Sequence, residues 1–229
     1  MATLLWLVLP YLAFAVFVLG HLWRWRHDQF GWTTFRTPMI ENRLLHLGSP
    51  LVHGGVLAVV VGHAFGLLVP RSWTRAVGLT DPVYRLISVS AGTLAGAAML
   101  AGLVLLVARR IQLRSVRRET TATDLVMYLL LGAVVVLGLW ATVGINVAGP
   151  GHDYRATVSV WFRGVVLLRP DPSLMVGVPL LLQLHTLTAL ALVAIWPFTR
   201  LVHAWAVPIG MLGQPSRTGD QRRDTTVVP

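Results

Sequence analysis

The sequence contains no cysteine and no lysine, and only nine acidic residues among 229. Without cysteine there is no disulfide, no cysteine-ligated iron–sulfur cluster and no C-x-x-C-H attachment of a c-type haem. Any haem on this chain must be held non-covalently. Without lysine, all 19 basic residues are arginine, and the formal charge is +10. A nucleic-acid binder gathers such charge along one stripe. Here the arginines stand at the ends of apolar runs, so they read as determinants of membrane topology, and nucleic acid is not an expected partner. Charged residues make up 12% of the chain, about half the share of an ordinary soluble domain, whereas 55% are hydrophobic. There is no internal repeat and no stretch that reads as a soluble catalytic domain. The apolar N-terminus lacks a basic n-region and an A-x-A-like site, so it is expected to remain as a span.

What the chain does have is five apolar runs, each of the roughly 20 residues needed to cross a bilayer. The expected spans are about 3–23, 49–70, 86–108, 124–147 and 174–205. The first ends in HLWRWRHDQFGW, whose Trp23, Trp25 and Trp32 suit a headgroup interface. The third carries Gly92, Ala95, Gly96, Ala98 and Gly102, small residues that let helices approach closely. Thr123 or Asp124 is expected to cap the fourth. Between the fourth and fifth, Val158, Trp161, Phe162, Val165 and Val166 fall at helical spacing in a segment too short and charged to span. They predict a helix lying in the interface. The expected fold is all-α, a polytopic membrane bundle of five transmembrane helices over residues 1–213. Residues 214–229 read as a disordered cytoplasmic tail.

The arginines orient this bundle. The 1–2 and 3–4 connections and the C-terminal region carry thirteen, the other two connections six. The positive-inside rule therefore places the N-terminus outside and the C-terminus in the cytoplasm. Histidine within lipid is costly and marks a functional site by default. The second span carries His53 and His63, the fifth His185 and His203. With the two spans antiparallel, His53 is level with His203 and His63 with His185. Such pairs can hold two haems through four imidazoles, each iron filled at both axial positions and so suited to moving electrons. On straight helices His185 and His203 stand about 27 Å apart along the fifth span and His53 and His63 about 15 Å along the second, a mismatch of about 12 Å at 1.5 Å per residue. Gly54, Gly55, Gly62 and Gly66 flank the ligands and leave room for a macrocycle, or serve ordinary helix contacts. His21, His27, His46 and His152, at helix ends or in loops, read as solvated or interfacial.

Arg109, Arg110 and Arg200 lie at the cytoplasmic level and are candidates for haem propionates, with headgroup anchoring as the alternative. Arg85 opens the third span near the level of His63. It is a candidate for a quinone oxygen or, equally, a topology signal. A non-redox reading, in which the histidines of a transporter bind a metal ion or protons, lacks the inverted repeats and interrupted helices such proteins show.

Three stretches, LVHGGVLAVVVGHAFGLL, YRATVSVWFRGVVLLRPDPSLMVGVPLLLQLH and WPFTRLVHAWAVP, carry a family resemblance together with the five-span length and the four histidines. Up to about residue 213 the chain resembles the gamma, or cytochrome b, subunit of membrane-bound respiratory nitrate reductase. The resemblance implies two b-type haems, His53 with His203 near the cytoplasm and His63 with His185 on the outer side. It implies quinol oxidation beside the outer haem, near Gly62, His63, Gly66 and the start of the third span. Some relatives carry a lysine there, where Arg85 is this chain's nearest basic residue. The implied partners are an iron–sulfur beta subunit and a molybdenum-containing alpha subunit on the cytoplasmic side, where nitrate is reduced. The implied location is the inner (plasma) membrane. A similar di-haem subunit serving another reductase is the neighbouring alternative.

Overall fold

Five helices of the computed structural model are long and apolar enough to cross a membrane: Leu4–His27, Arg43–Leu68, Asp81–Gln112, Ala122–Ile145 and Leu180–Phe198. The structure describes residues 1–27 and 42–204, and among these there is no strand. Trp32, Arg36, Trp205 and the tail 214–229 lie outside the described residues. The expected all-helical, five-span architecture is the observed one.

A π-helical turn, Leu4–Val8, leads into α1 (Leu9–His27). Helix α2 (Arg43–Leu68) starts well before the expected residue 49. Its cap is Asn42, whose side chain accepts from the Leu45 amide at 3.0 Å. The Ser49–Pro50 step looks like a helix start because proline favours the first turn. Here Pro50 lies inside α2, as membrane helices tolerate. A short α3 (Arg71–Ala76) precedes α4 (Asp81–Gln112), whose 32 residues extend about 48 Å at 1.5 Å per residue. Beyond α5 (Arg114–Arg118) comes α6 (Ala122–Trp140), continued by a π-helical turn, Ala141–Ile145. The cap of α6 is Thr121 rather than Thr123 or Asp124. Thr121 and Asp124 form a reciprocal capping box, in which each side chain accepts from the other's backbone amide.

The helix expected between the fourth and fifth spans is present as α7 (Val158–Val166), and one side of it is tightly packed. Trp161 and Val165 join Trp6, Met175 and Val178 in a buried cluster. The Trp161 indole donates to the Trp6 carbonyl at 2.7 Å, and the two rings meet edge to face with centroids 5.6 Å apart. Ser159 Oγ donates to the Gly66 carbonyl at 2.9 Å, and Arg163 donates to the Leu67 carbonyl at 3.0 Å. So α7 closes one end of the bundle over the start of the first span and the end of the second. The fifth span is α8 (Leu180–Ile195), followed by two 3-10 turns, Trp196–Phe198 and Arg200–Val202.

Glycines set the packing of the second and third spans. A Cβ on Gly102 of α4 would sit 2.7 Å from the Val52 amide nitrogen and 2.8 Å from the Gly48 carbonyl of α2. A Cβ on Gly55 would meet the Met99 backbone at 2.9 Å. The next glycine along α4, Gly96, receives Leu139 of α6 in the same way. Neither backbone can move aside cheaply, so α2 and α4 are locked together by absent side chains. Gly102→Ala is expected to cost about 1–3 kcal/mol by overpacking. Gly92→Ala, whose Cβ would meet only Thr142 Cγ2 at 3.7 Å, should be nearly neutral. Thermal unfolding in detergent, comparing the two variants with the parent, measures the difference.

Candidate functional site

The four span histidines meet in two pairs. The rings of His53 and His203 lie 6.0 Å apart, centroid to centroid, inclined at 69°. Those of His63 and His185 also lie 6.0 Å apart, at 34°. Each Nδ1 lies within hydrogen-bond distance of a backbone carbonyl: His53 to Ser49 at 2.7 Å, His63 to Val59 at 2.8 Å, His185 to Val134 at 3.0 Å and His203 to Arg200 at 2.6 Å. A carbonyl can only accept, so Nδ1 carries the proton in every case. Each Nε2 is left as a bare lone pair, the form in which imidazole ligates a metal.

The separation suits one metal ion between two rings. Metal–imidazole bonds of about 2 Å place opposed nitrogens about 4 Å apart, and the step to each ring centre adds about 1 Å. The total is the spacing both pairs show. Space for a macrocycle is present as well. Helix α2 packs chiefly on α4, and α8 on α6 and α1, whereas α2 and α8 are not packed against one another in this way. On α2, a Cβ at Gly54 or Gly62 would meet nothing within 4 Å. The other two flanking glycines do different work: Gly55 receives α4, and Gly66 lies under the hydroxyls of Tyr154 and Tyr84. Among the described residues no three histidine, aspartate or glutamate side chains gather as they would around a metal ion held by the protein alone.

The straight-helix mismatch between the pairs disappears because His203 is not on α8. The helix ends at Ile195, and the backbone is extended at Thr199, with φ −113° and ψ 177°. The chain leaves the helix axis there, so the rise of a continuous helix does not apply between His185 and His203.

The candidate arginines all have protein contacts. Arg200 Nε donates to Asp124 Oδ1 at 2.8 Å and its NH2 to the Glu119 carbonyl at 2.8 Å. Arg110 lies 3.7 Å from Asp124 Oδ2, donates to Thr120 Oγ1 and sits over the Tyr128 ring. Arg109 is buried in the last turn of α4. Arg85 donates to the Asn146 carbonyl at 2.8 Å, tying α4 to the end of the fourth span. Of the residues expected near quinol, Gly62 and His63 are exposed, whereas Gly66 is buried. His21 and His27 each donate to the carbonyl one turn earlier on α1, apart from the pairs.

Sequence reasoning did not single out Asp124 as an ion-pair centre, nor the phenol pair beside Gly66. Tyr84 and Tyr154 bond hydroxyl to hydroxyl at 2.9 Å, 70 residues apart in sequence. Arg155, itself buried, stacks over the Tyr84 ring at 3.9 Å and donates to Thr74 and to the Val69 carbonyl. Burial, then the bond to Tyr84, pushes the Tyr154 phenol well above its ordinary range, so it stays neutral.

Fold and site together define a polytopic helical membrane protein with two facing histidine pairs at two depths. A family model described as nitrate reductase gamma subunit matches residues 2–219. The chain is 40% identical to the nitrate reductase gamma chain of Bacillus subtilis over 209 residues, covering 91% of this chain and 93% of that one. It is 32% identical to the respiratory nitrate reductase 1 gamma chain of Escherichia coli, over 90% of this chain and 91% of that one. A nitrate reductase-like protein, NarX, of Mycobacterium tuberculosis is 49% identical over 94% of this chain, which spans about a third (33%) of that relative's length. The chain belongs to the nitrate reductase gamma subunit family.

At the α7 end, His152 Nε2 pairs with Thr157 Oγ1 at 2.9 Å, and burial lowers its affinity for a proton. The unfolded chain therefore takes up this proton first. The stability His152 contributes is complete above about pH 6.5 and is lost as pH falls below it toward the depressed folded value. His152→Gln is expected to flatten the acid side of the stability curve between pH 8 and 5. An acid limb as steep as the parent's, in melting temperature against pH, rejects this assignment.

Proposed function

We propose that this chain is the membrane-anchoring di-haem cytochrome b subunit of a respiratory nitrate reductase in the inner membrane. In this reading it oxidises quinol near the His63–His185 end and delivers electrons at the His53–His203 end. The recipients are an iron–sulfur subunit and a molybdenum-containing subunit on the cytoplasmic side. Family membership supports the complex, and the two imidazole pairs, each 6.0 Å apart with Nδ1 committed to a carbonyl, carry the cofactor assignment. The arginine distribution supports a cytoplasmic C-terminus.

His53 with His203, and His63 with His185, would each hold one haem b. Held by two imidazoles, such a haem would supply one-electron transfer. The residues contribute the rest. The carbonyl acceptors fix tautomer and ring direction and raise the basicity of Nε2. Gly54 and Gly62 leave the α2 face open beside the ligands. His53, His63 and His185 lie within apolar spans, and His203 follows shortly after the last of them. At the His63 end, exposed Gly62 and His63 offer quinol a surface reachable from lipid, with Arg85 at the adjoining start of α4. Releasing the quinol protons outside while the electrons leave inside stores about 2.3 kcal/mol per charge for each 100 mV of membrane potential.

His63→Ala and His185→Ala are each expected to halve the haem content of the purified complex and abolish quinol oxidation. Full haem in the reduced-minus-oxidised spectra of either variant would overturn the ligand assignment. Gly62→Leu meets no protein atom near its Cβ, so the fold should persist while the adjacent haem is lost or its band displaced. An unchanged spectrum in a stable Gly62→Leu protein shows that nothing flat lies on that face.

A further inference from the structure

Three of the four histidines sit well inside a long helix, whereas His203 opens a new helical stretch directly after a 3-10 turn. His53 and His63 bond to carbonyls one turn earlier in α2, and His185, on α8, bonds across to Val134 on α6. His203 follows a 3-10 turn that no α-helical ladder supports. Side chains from other elements hold that turn. From α1, Arg24 donates to the Pro197 carbonyl at 2.7 Å and the Thr199 carbonyl at 3.1 Å. Thr199 Oγ1 donates to the Trp196 carbonyl at 2.9 Å and accepts from the Leu201 amide at 3.2 Å. From the first turn of α6, Asp124 takes Arg200 Nε at 2.8 Å, while Arg200 NH2 reaches the Glu119 carbonyl.

Arg200 thus acts twice. Its carbonyl accepts the His203 Nδ1 proton at 2.6 Å and sets the ring's direction, and its side chain ties that same residue to Asp124. Asp124 is itself immobilised. Its side chain is 2% exposed, accepts from the Thr121 amide at 3.0 Å and has Arg110 at 3.7 Å. A buried, multiply bonded carboxylate is a firm anchor, because leaving either partner uncompensated there is costly. We propose that Asp124 is a positioning residue for His203, acting through Arg200 to fix the plane of that imidazole against His53. This rests on the reading of His203 as an axial ligand. No corresponding ion pair stands behind His63 or His185 among the contacts described above, so the effect is confined to one of the two sites.

The test uses the assembled complex in membranes. Frozen-solution electron paramagnetic resonance reads the low-spin ferric signal of each haem, whose anisotropy follows the angle between its two imidazole planes. Asp124→Ala and Arg200→Gln are each expected to move the g-values and midpoint potential of one haem and leave the other unmoved. The double variant should move them no further than either single change, and Arg200→Lys should restore part of the parent signal. A purely stabilising role for Asp124 would lower the melting temperature with both signals in place, and that result overturns the proposal. So do two signals that shift together. Should Asp124→Ala fail to accumulate, Arg200→Gln, which leaves the α6 capping box intact, decides by the same outcomes. His203→Ala, run in parallel, separates the two levels. Retention of both haems there defeats the ligand reading itself, whereas loss of one haem with unmoved signals in Arg200→Gln defeats only the positioning role.

Discussion

An imidazole in the interior of a lipid bilayer must have both nitrogens engaged, and that requirement organises this molecule. The protein supplies half of the answer, a carbonyl for each Nδ1. The rings themselves meet in pairs, 6.0 Å apart centroid to centroid. The bundle packs unevenly around them: α2 leans on α4 through glycines and α8 on α6 and α1, rather than α2 on α8. Close packing in one place thus makes room in another. Gly48, Gly55 and Gly102 draw backbones together, while Gly54 and Gly62, on the same helix α2, have nothing near them. The same residue type serves opposite ends because a missing side chain is either filled by a neighbour or left as space.

The two ends of the bundle are held by different forces. At the His63–His185 end, an apolar cluster stands beside exposed pairs of Arg71 and Arg75 with Asp81 and Asp153. Trp6, Trp161, Val165, Met175 and Val178 close over one another, fastened by neutral hydrogen bonds from indole and serine to backbone carbonyls. At the His53–His203 end, charge dominates, with Asp124 drawing Arg110 and Arg200 together. Neutral contacts of the first kind are insensitive to salt, whereas partly exposed charge pairs weaken with it.

The spans and the histidine pairing were legible because both are local or periodic. Twenty apolar residues announce a helix whatever surrounds them, and an antiparallel pair of helices fixes which histidines share a depth. What remained hidden depends on distant partners. Pro50 marks a boundary only if nothing upstream can start the helix, and Asn42 can. Thr121 takes the cap because Asp124 answers it three residues later. That Asp124 also binds Arg200, 76 residues away, leaves no local trace. Neither does the hydroxyl contact of Tyr84 with Tyr154. The end of α8 was misplaced for a related reason: PFTRLVHAW is apolar enough to continue a helix, and only Thr199, extended and held by Arg24, shows that it turns away.

The bond from Trp161 to the carbonyl of Trp6 joins residues 155 positions apart, and the partner of His53 lies 150 positions further on, at His203. A nascent chain threading into the membrane therefore carries its first span unclosed until α7 emerges, and both imidazoles of α2 unmatched until the fifth span follows. Neither pair of rings is complete before the fifth span and the segment that follows it are in place.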